Sequence, residues 1–394
     1  MIYLDNSATT YPKPDCVYDA VDDYGRHHAV NAGRGAYREG RAATAMIGDV
    51  KTRLLSLCNA REQAEVVFTP SVTIGLNQII NGIDWHAGDR AYVSPYEHNA
   101  VLRPLHRLCQ LMGIEMMELP LCPDLRIDVE KTAKLFHEKP PKFVAMTAVS
   151  NVTGYILPTA AVFQLAKAYG AFTLFDGAQA VGLLPIRFAA THADALTFAG
   201  HKTLYAPFGI AGFFLKNGID LKTFIVGGNG IKSLSLDMPT YMPQKLECGS
   251  MDTVAIRGLQ AALAWLSTVE PLAKERELVD YVLPRLRQIP GIHLYTAPTM
   301  AEQAGVLSLA VDGWRANELG AYLDYQYDIA VRAGHHCAAL IHRHLHDDAF
   351  DGTVRVSFSV FTTKDDVDRL ITALQSLDKA ILEKISTNVL RGNC

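Results

Sequence analysis

The sequence predicts an α/β protein in which a mostly parallel sheet carries helices on both faces and a smaller C-terminal α+β unit follows. Three observations lead there. Apolar runs of strand length alternate with amphipathic stretches of helical period, as in a parallel sheet covered on both sides. The alternation breaks at GGNGIKSLSLDMPTYMPQKLECGSMD, where Gly, Pro and polar residues take over. A long helical stretch and a second set of strands follow the break.

In chain order, EVVFTP, RAYVSP, KFVAMTAVS, FTLFD, DALTFAG and IAGFFL read as buried strands, because apolar residues fill both of their faces. Between most of them lie helical patterns such as NAVLRPLHRLCQLMG and AAVFQLAKAYG, the latter closed by a glycine as helix ends often are. After the break, TVAIRGLQAALAWLSTVE reads as a long helix. VLSLAVD, IAVR and TVRVSFS are the second set of strands, and a closing helix starts near Lys364. This pattern puts the second domain from about Ala273 onward. No internal repeat or low-complexity linker interrupts it.

Composition narrows the function. With 394 residues, 49% of them hydrophobic and 20% charged, the chain can bury a large core. A net charge of -4 and no Lys/Arg cluster argue against nucleic acid as a partner. MIYLDNSATT has no charged stretch followed by an apolar one, and no apolar run approaches the length of a membrane span. The expectation is a cytoplasmic protein with no membrane partner. Seven cysteines, Cys16, Cys58, Cys109, Cys122, Cys248, Cys337 and Cys394, include no CxxC pair, which suits reduced thiols. Cys16, Cys58 and Cys109 lie in helical patterns and are expected in the core. Cys394 ends the sequence and is expected to be a mobile thiol open to nonspecific sulfur chemistry.

In open parallel sheets ligands bind beyond the carboxyl ends of the strands. FTLFDGAQAVG ends a strand on Asp176, and LTFAGHKTLYAP ends the next on His201 and Lys202. An acid and a lysine at neighbouring strand ends suit pyridoxal phosphate, whose Schiff base needs a lysine of depressed pKa and whose pyridine nitrogen needs an acid to stay protonated. FTPSVTIGLNQIING runs from strand to helix and offers Thr73 and backbone N–H groups to an anion. Each feature also has a plainer reading: Asp176 as a turn residue, Lys202 as a solvated lysine, the Ser/Thr pair as a helix N-cap. RAGHHCAAL leaves Cys337 open as metal ligand, nucleophile or buried thiol. HHCAALIHRHLH holds five histidines, with His342 and His346 spaced to share a helical face and Asp347 and Asp348 close by. His335 and His336 point apart in regular structure, so surface histidines on an exposed helix explain HRHLH more simply, and no metal is expected.

Taken in order, YLDNSATTYPKP, NAGRGAY, SVTIGLN, EHNAVLRPL, VSNVTGY, DGAQAVG, GHKTLYAPFGIAGFF, ECGS, RAGHHCA and RVSFS resemble the cysteine desulfurase family, of the class V aminotransferase fold, and within it the SufS-like group that also includes selenocysteine lyases. GHK after DGAQ, with RxGHHC near the end, is the most specific combination. The resemblance covers nearly the whole chain. It implies a fold type I pyridoxal-phosphate enzyme with a seven-stranded sheet in a large domain, 15–265, and a small domain built from 1–14 and 266–394 that carries the Cys337 loop. Lys202 would bind the cofactor covalently, Asp176 would pair with its ring nitrogen, Gln179 with its phenolic oxygen, and His98 would stack on its face. Thr73 and His201 would hold the phosphate, with Ser250 reaching it from the second subunit of a homodimer. Asn151 and Arg355 would bind the substrate, the guanidinium gripping its carboxylate. Cys337 would be the nucleophile, which must attack as thiolate, with Gly334 letting the backbone turn before it.

The sequence departs from the family at Val72 and Ala199, where a threonine and a serine commonly add phosphate contacts, and in ECGSMD around Ser250. Each lost hydrogen bond to a charged group is worth roughly 1.5–3 kcal/mol. The implied reaction converts L-cysteine to L-alanine, with sulfur passing to Cys337 as a persulfide and on to an acceptor, of which a protein is one candidate. L-selenocysteine as substrate, another pyridoxal-phosphate C–S lyase or aminotransferase with Cys337 as bystander, and a catalytically silent sulfur-trafficking scaffold are the rival readings.

Overall fold

The computed structural model describes residues 1–33, 35–231 and 233–384. Its strands are β1 (Ile2–Tyr3), β2 (Ala64–Thr69), β3 (Arg90–Val93), β4 (Glu115–Glu118), β5 (Phe143–Thr147), β6 (Phe172–Asp176), β7 (Ala195–Ala199), β8 (Ala211–Lys216), β9 (Ile292–Tyr295), β10 (Val306–Val311), β11 (Ile329–Ala330), β12 (Arg332–Gly334) and β13 (Thr353–Ser357). Seven of them form one sheet in the order β2-β8-β7-β6-β5-β3-β4. From β7 to β4 every pairing is parallel. Only β8, inserted between β2 and β7, runs against both neighbours. The expected α/β fold with a mostly parallel seven-stranded sheet is thus present.

Side-chain alternation splits the apolar residues of each strand between two cores. Val67, Phe143, Ala145 and Leu174 face one layer, with Leu76 and Ile79 of the helix Val72–Gly82 and Leu105 of the helix Asn99–Met112. Val66, Phe68, Val144, Met146 and Phe175 face the other, with Val50 and Leu54 of the helix Arg38–Leu57 and residues of the helix Thr253–Leu266. Burying each such side chain contributes about 1.5–3 kcal/mol. Covered on both faces, the strands have no polar side to show, which is why they read as unbroken apolar runs.

A third core lies under the antiparallel sheet β12-β13-β10-β9, packed by the helices Pro271–Leu286, Ala316–Tyr327 and Lys364–Gln375. The run IAVR forms two strands rather than one. The chain breaks at Val331, so β11 pairs with β1 in a separate two-stranded sheet while β12 pairs with β13. The N-terminus therefore joins the C-terminal unit: Leu4 accepts from Ser357 N, and Asn6 Nδ2 donates to Ser357 O at 2.9 Å.

Two expectations need correction. Cys16 is exposed, because the helix Asp15–His27 buries Val17, Ala20 and Tyr24 and leaves position 16 off that stripe. Cys58 is buried and Cys109 half-buried. His342 is not a surface residue either; it points inward with Leu340, Ile341 and Leu345 from the helix Ala339–Leu345, and the helix ends before His346. Cys394 lies outside the described residues. Among the described residues no helix is long and apolar enough to cross a membrane.

Candidate active site

Beyond the carboxyl ends of β5, β6 and β7 lies a cavity of about 210 Å³, where an open parallel sheet places its ligands. Thr73, His98, Asn151, Asp176, Gln179, His201 and Lys202 line it, together with Val72 and Ala199. Seven of the ten residues singled out in the sequence therefore converge. Arg355, Cys337 and Ser250 do not line it.

Asp176 closes β6 and is buried. Its Oδ1 accepts from Ala178 N at 3.0 Å and from Thr197 Oγ1, on the adjacent β7, at 2.9 Å. Gly177 makes this turn possible: a Cβ there would lie 2.4 Å from Thr197 O. Lys202 follows β7, and burial pushes its amine from the usual 10.5 down to about 8, with Asp176 pulling the other way. Among the described residues no hydrogen bond or ion pair engages its Nζ.

His98 caps the helix Asn99–Met112, its Nδ1 accepting from Ala100 N at 3.0 Å. Burial, and then the charge of Lys202, lower its pKa to about 4, so the ring is neutral and its hydrogen sits on Nε2. His201 is lowered to about 3 by burial and then by Lys202 and Lys13. Its ring stacks on Phe208 at 4.5 Å, and its Nδ1 is buried without a hydrogen-bond partner. Ser71 caps the helix Val72–Gly82 by accepting from Ile74 N, which sets Val72 and Thr73 in the first turn at the cavity wall. The Gln179 amide is oriented by donation to Ser7 O at 2.8 Å.

Arg355 sits behind the Asn151 wall. Nη2 meets Asp5 Oδ1 at 2.7 Å and Nη1 donates to Asn151 O at 3.1 Å, while Nε is buried without a partner. The other carboxylate oxygen of Asp5 pairs with Arg332 at 3.0 Å. Ser250 belongs to a separate cleft of about 690 Å³ with Lys51 and Glu247. Cys337 is exposed, at the tip of a turn in which His336 (φ 50°) and Cys337 itself (φ 55°) are both left-handed. That conformation costs a non-glycine residue about 1–2 kcal/mol. Two contacts tie the turn to the cavity wall: Asn99 N donates to Cys337 O at 2.6 Å and Asn151 Nδ2 to His336 O at 2.8 Å.

Sequence reasoning missed three buried titratable side chains around this cavity. Lys13 Nζ donates to His201 O and Thr10 Oγ1, each at 2.7 Å, and burial lowers its pKa to about 7. Glu97 Oε1 accepts from Ser94 Oγ at 2.5 Å and Thr147 N at 2.6 Å while Oε2 has no partner; burial raises its pKa to about 8. Asp5 is the third. Their only signal was a charged residue inside an otherwise uncharged motif, YPKP, PYEHN and YLDNS. Among the described residues no three His, Cys, Asp or Glu side chains are grouped to hold a metal ion.

Residues 2–370 match the family model of the class-V aminotransferases. Proteins named cysteine desulfurase from Escherichia coli O127:H6 (strain E2348/69) and Shigella sonnei (strain Ss046) are each 34% identical to the chain, over 97% of it and 94% of their own length. The apo structure of cysteine desulfurase from Thermococcus onnurineus NA1 aligns with a TM-score of 0.89 at 29% identity, covering 96% of this chain and 94% of that one. The cysteine desulfurase CsdA (S-sulfonic acid) from Escherichia coli aligns at 0.82 with 28% identity, covering 95% and 93%.

Proposed function

The chain belongs to the class-V aminotransferases, in the group of the cysteine desulfurases, and from that premise we propose that it moves sulfur from L-cysteine to its own Cys337, releasing L-alanine, and then to an acceptor. Enzymes of this family depend in general on pyridoxal phosphate. The residues at the cavity fit that group. The buried, unpartnered Nδ1 of His201 and the helix N-terminus at Thr73 suit a phosphate. The fixed carboxylate of Asp176 suits a protonated ring nitrogen, and neutral His98 suits a ring face. Gln179 would meet the ring oxygen, and Lys202 the aldehyde.

When bound, the cofactor supplies an electron sink for negative charge at the substrate Cα. Lys202 Nζ, lowered to about 8 and free of hydrogen-bond partners among the described residues, is the base that takes the Cα proton. Asn151, at the cavity wall, would orient the substrate carboxylate, and Arg355 behind it would join only once its unpartnered Nε opens to the cavity. The Cys337 thiolate then attacks the substrate sulfur. An S–S bond forms, the C–S bond breaks with its electron pair left on carbon, that carbon takes a proton to become the methyl group, and Lys202 returns a proton to Cα to complete alanine.

The observation that carries this reading is the placement of the Cys337 turn, held by Asn99 and Asn151 against the wall of the cavity that Lys202 enters. We also take 15–265 as the large domain and 1–14 with 266–394 as the small one, because the buried core under β9, β10 and β13 draws only on residues 2–4 and 278–374, while Ala297, Ala304, Ala338, Leu340, Ile341 and Leu345 pack into the cores of the large sheet. A homodimer is supported by the position of Ser250 outside its own chain's cavity and by the exposed apolar Val226, Leu234 and Leu236. The test is alanine released from L-cysteine with pyridoxal phosphate and excess reductant. Wild type should release it and Cys337→Ala should not. Equal release by both, or by neither, overturns the assignment and turns the test to L-selenocysteine.

A further inference from the structure

We propose that His342, held by Asp347, is a positioning residue for sulfur transfer: it is the third clasp on the turn that presents Cys337. The proposal rests on the reading of Cys337 as sulfur acceptor. Three consecutive carbonyls of the turn each accept a hydrogen bond from outside it. Asn99 N holds Cys337 O and Asn151 Nδ2 holds His336 O. His342 Nε2 lies 2.9 Å from His335 O. The turn itself supplies one bond, from Ala338 N to His335 O at 3.0 Å. Two consecutive left-handed residues do not hold themselves in place, so these outside donors set where Cys337 points.

His342 is built for this task. A backbone carbonyl only accepts, so the contact to His335 O requires hydrogen on Nε2. At Nδ1, Asp347 Oδ2 stands 2.5 Å away and fixes the ring plane. Histidine and carboxylate are both buried. The ring also lies under both histidines of the turn, with centroids 5.0 Å from His335 and 5.9 Å from His336. His336 is fixed separately, its Nε2 2.8 Å from Thr353 Oγ1. Neither His342 nor Asp347 lines the cavity, so the pair acts on the reaction only through the turn.

The test compares the holoenzyme with His342→Leu and His342→Gln in two readouts. One is kcat and KM for alanine release from L-cysteine. The other is the rate at which iodoacetamide alkylates Cys337, followed on its own peptide by mass spectrometry. His342→Leu should lower kcat roughly 10- to 100-fold with KM within about twofold, as displaced supporting groups do. It should also shift the Cys337 alkylation rate, while the visible band of the cofactor and its response to L-cysteine stay as in wild type. The glutamine amide can donate to His335 O, so His342→Gln should restore both readouts to within about threefold. If His342→Leu fails to fold, His342→Leu/Asp347→Leu leaves no buried orphan carboxylate and carries the same comparison. An unchanged kcat and alkylation rate overturn the proposal, as does a kcat that falls together with the cofactor response. If alkylation shifts as expected while Cys337→Ala still releases alanine, His342 holds the turn and the desulfurase reading is what fails.

Discussion

Lys202 carries the clearest linkage between site and stability. Its amine titrates near 8 in the folded chain against an ordinary value of 10.5. Between those values the unfolded lysine is protonated and the folded one is not, so stability rises with pH there. Below about 8 the folded state bears the full cost of a buried charge. In cofactor-free protein at pH 7, Lys202→Met should therefore be more stable than wild type by about 3 kcal/mol. The gap should close as pH rises from 8 to 10.5, and denaturant midpoints across that range measure it. A gap that does not change with pH would show that Lys202 is not desolvated. Lys202, Asp176 and His201 were legible in the sequence because each ends an apolar strand. Asp5, Lys13 and Glu97 were not, because partners remote in sequence bury and pair them; Asp5 meets Arg355 across 350 positions.

At the scale of elements, the turn after β6 depends on a residue without a side chain. In Gly177→Ala the added methyl would meet Thr197 O at 2.4 Å and Val181 Cγ2 at 2.8 Å. The neighbouring strand must give way, and Asp176 moves with it. We expect a loss of about 1–3 kcal/mol and a clearly weaker hold on pyridoxal phosphate, read from thermal unfolding and from titration of the cofactor band. Gly25, inside the helix Asp15–His27 with open space around its Cα, is the control: alanine there should stabilise by about 0.5–1 kcal/mol. Strand and helix identities were readable from apolar period, down to the start of the last helix at Lys364. Pairing was not. Nothing local distinguishes β8, which runs antiparallel, from its parallel neighbours, and nothing in IAVR marks Val331 as the point where one sheet ends and another begins. The inward turn of His342 was equally hidden, since Asp347, the carboxylate that makes its burial tolerable, acts through folded geometry.

Across the whole molecule, one short segment ties the cores together. Leu4 and Asn6 bind Ser357, Asp5 bridges Arg332 and Arg355, and Thr9, Thr10 and Lys13 converge on the carbonyls of His201 and Lys202. Asp5→Ala would leave the buried Arg355 without its counter-charge, and burial already pulls that guanidinium below its ordinary range. Removing one partner of a buried pair costs about 3–5 kcal/mol, and Asp5→Asn, which keeps an acceptor, should cost less. Urea unfolding of the two variants checks the order. Equal losses would mean that the charge of Asp5 is irrelevant and only its shape matters.

That same segment constrains how the molecule is assembled during synthesis. β1 is made first, yet its strand partner among the described residues, β11, begins 327 residues later, and Ser357 later still. Contacts so distant in sequence form late and slowly. A nascent chain can close the large sheet while residues 1–13 remain unplaced, and the carbonyl of His201 then lacks its donors, while that of Lys202 keeps only Tyr205 N. The site reaches its final form only after β13 has emerged, so a ribosome-bound intermediate would have its sheet before it had a working cavity.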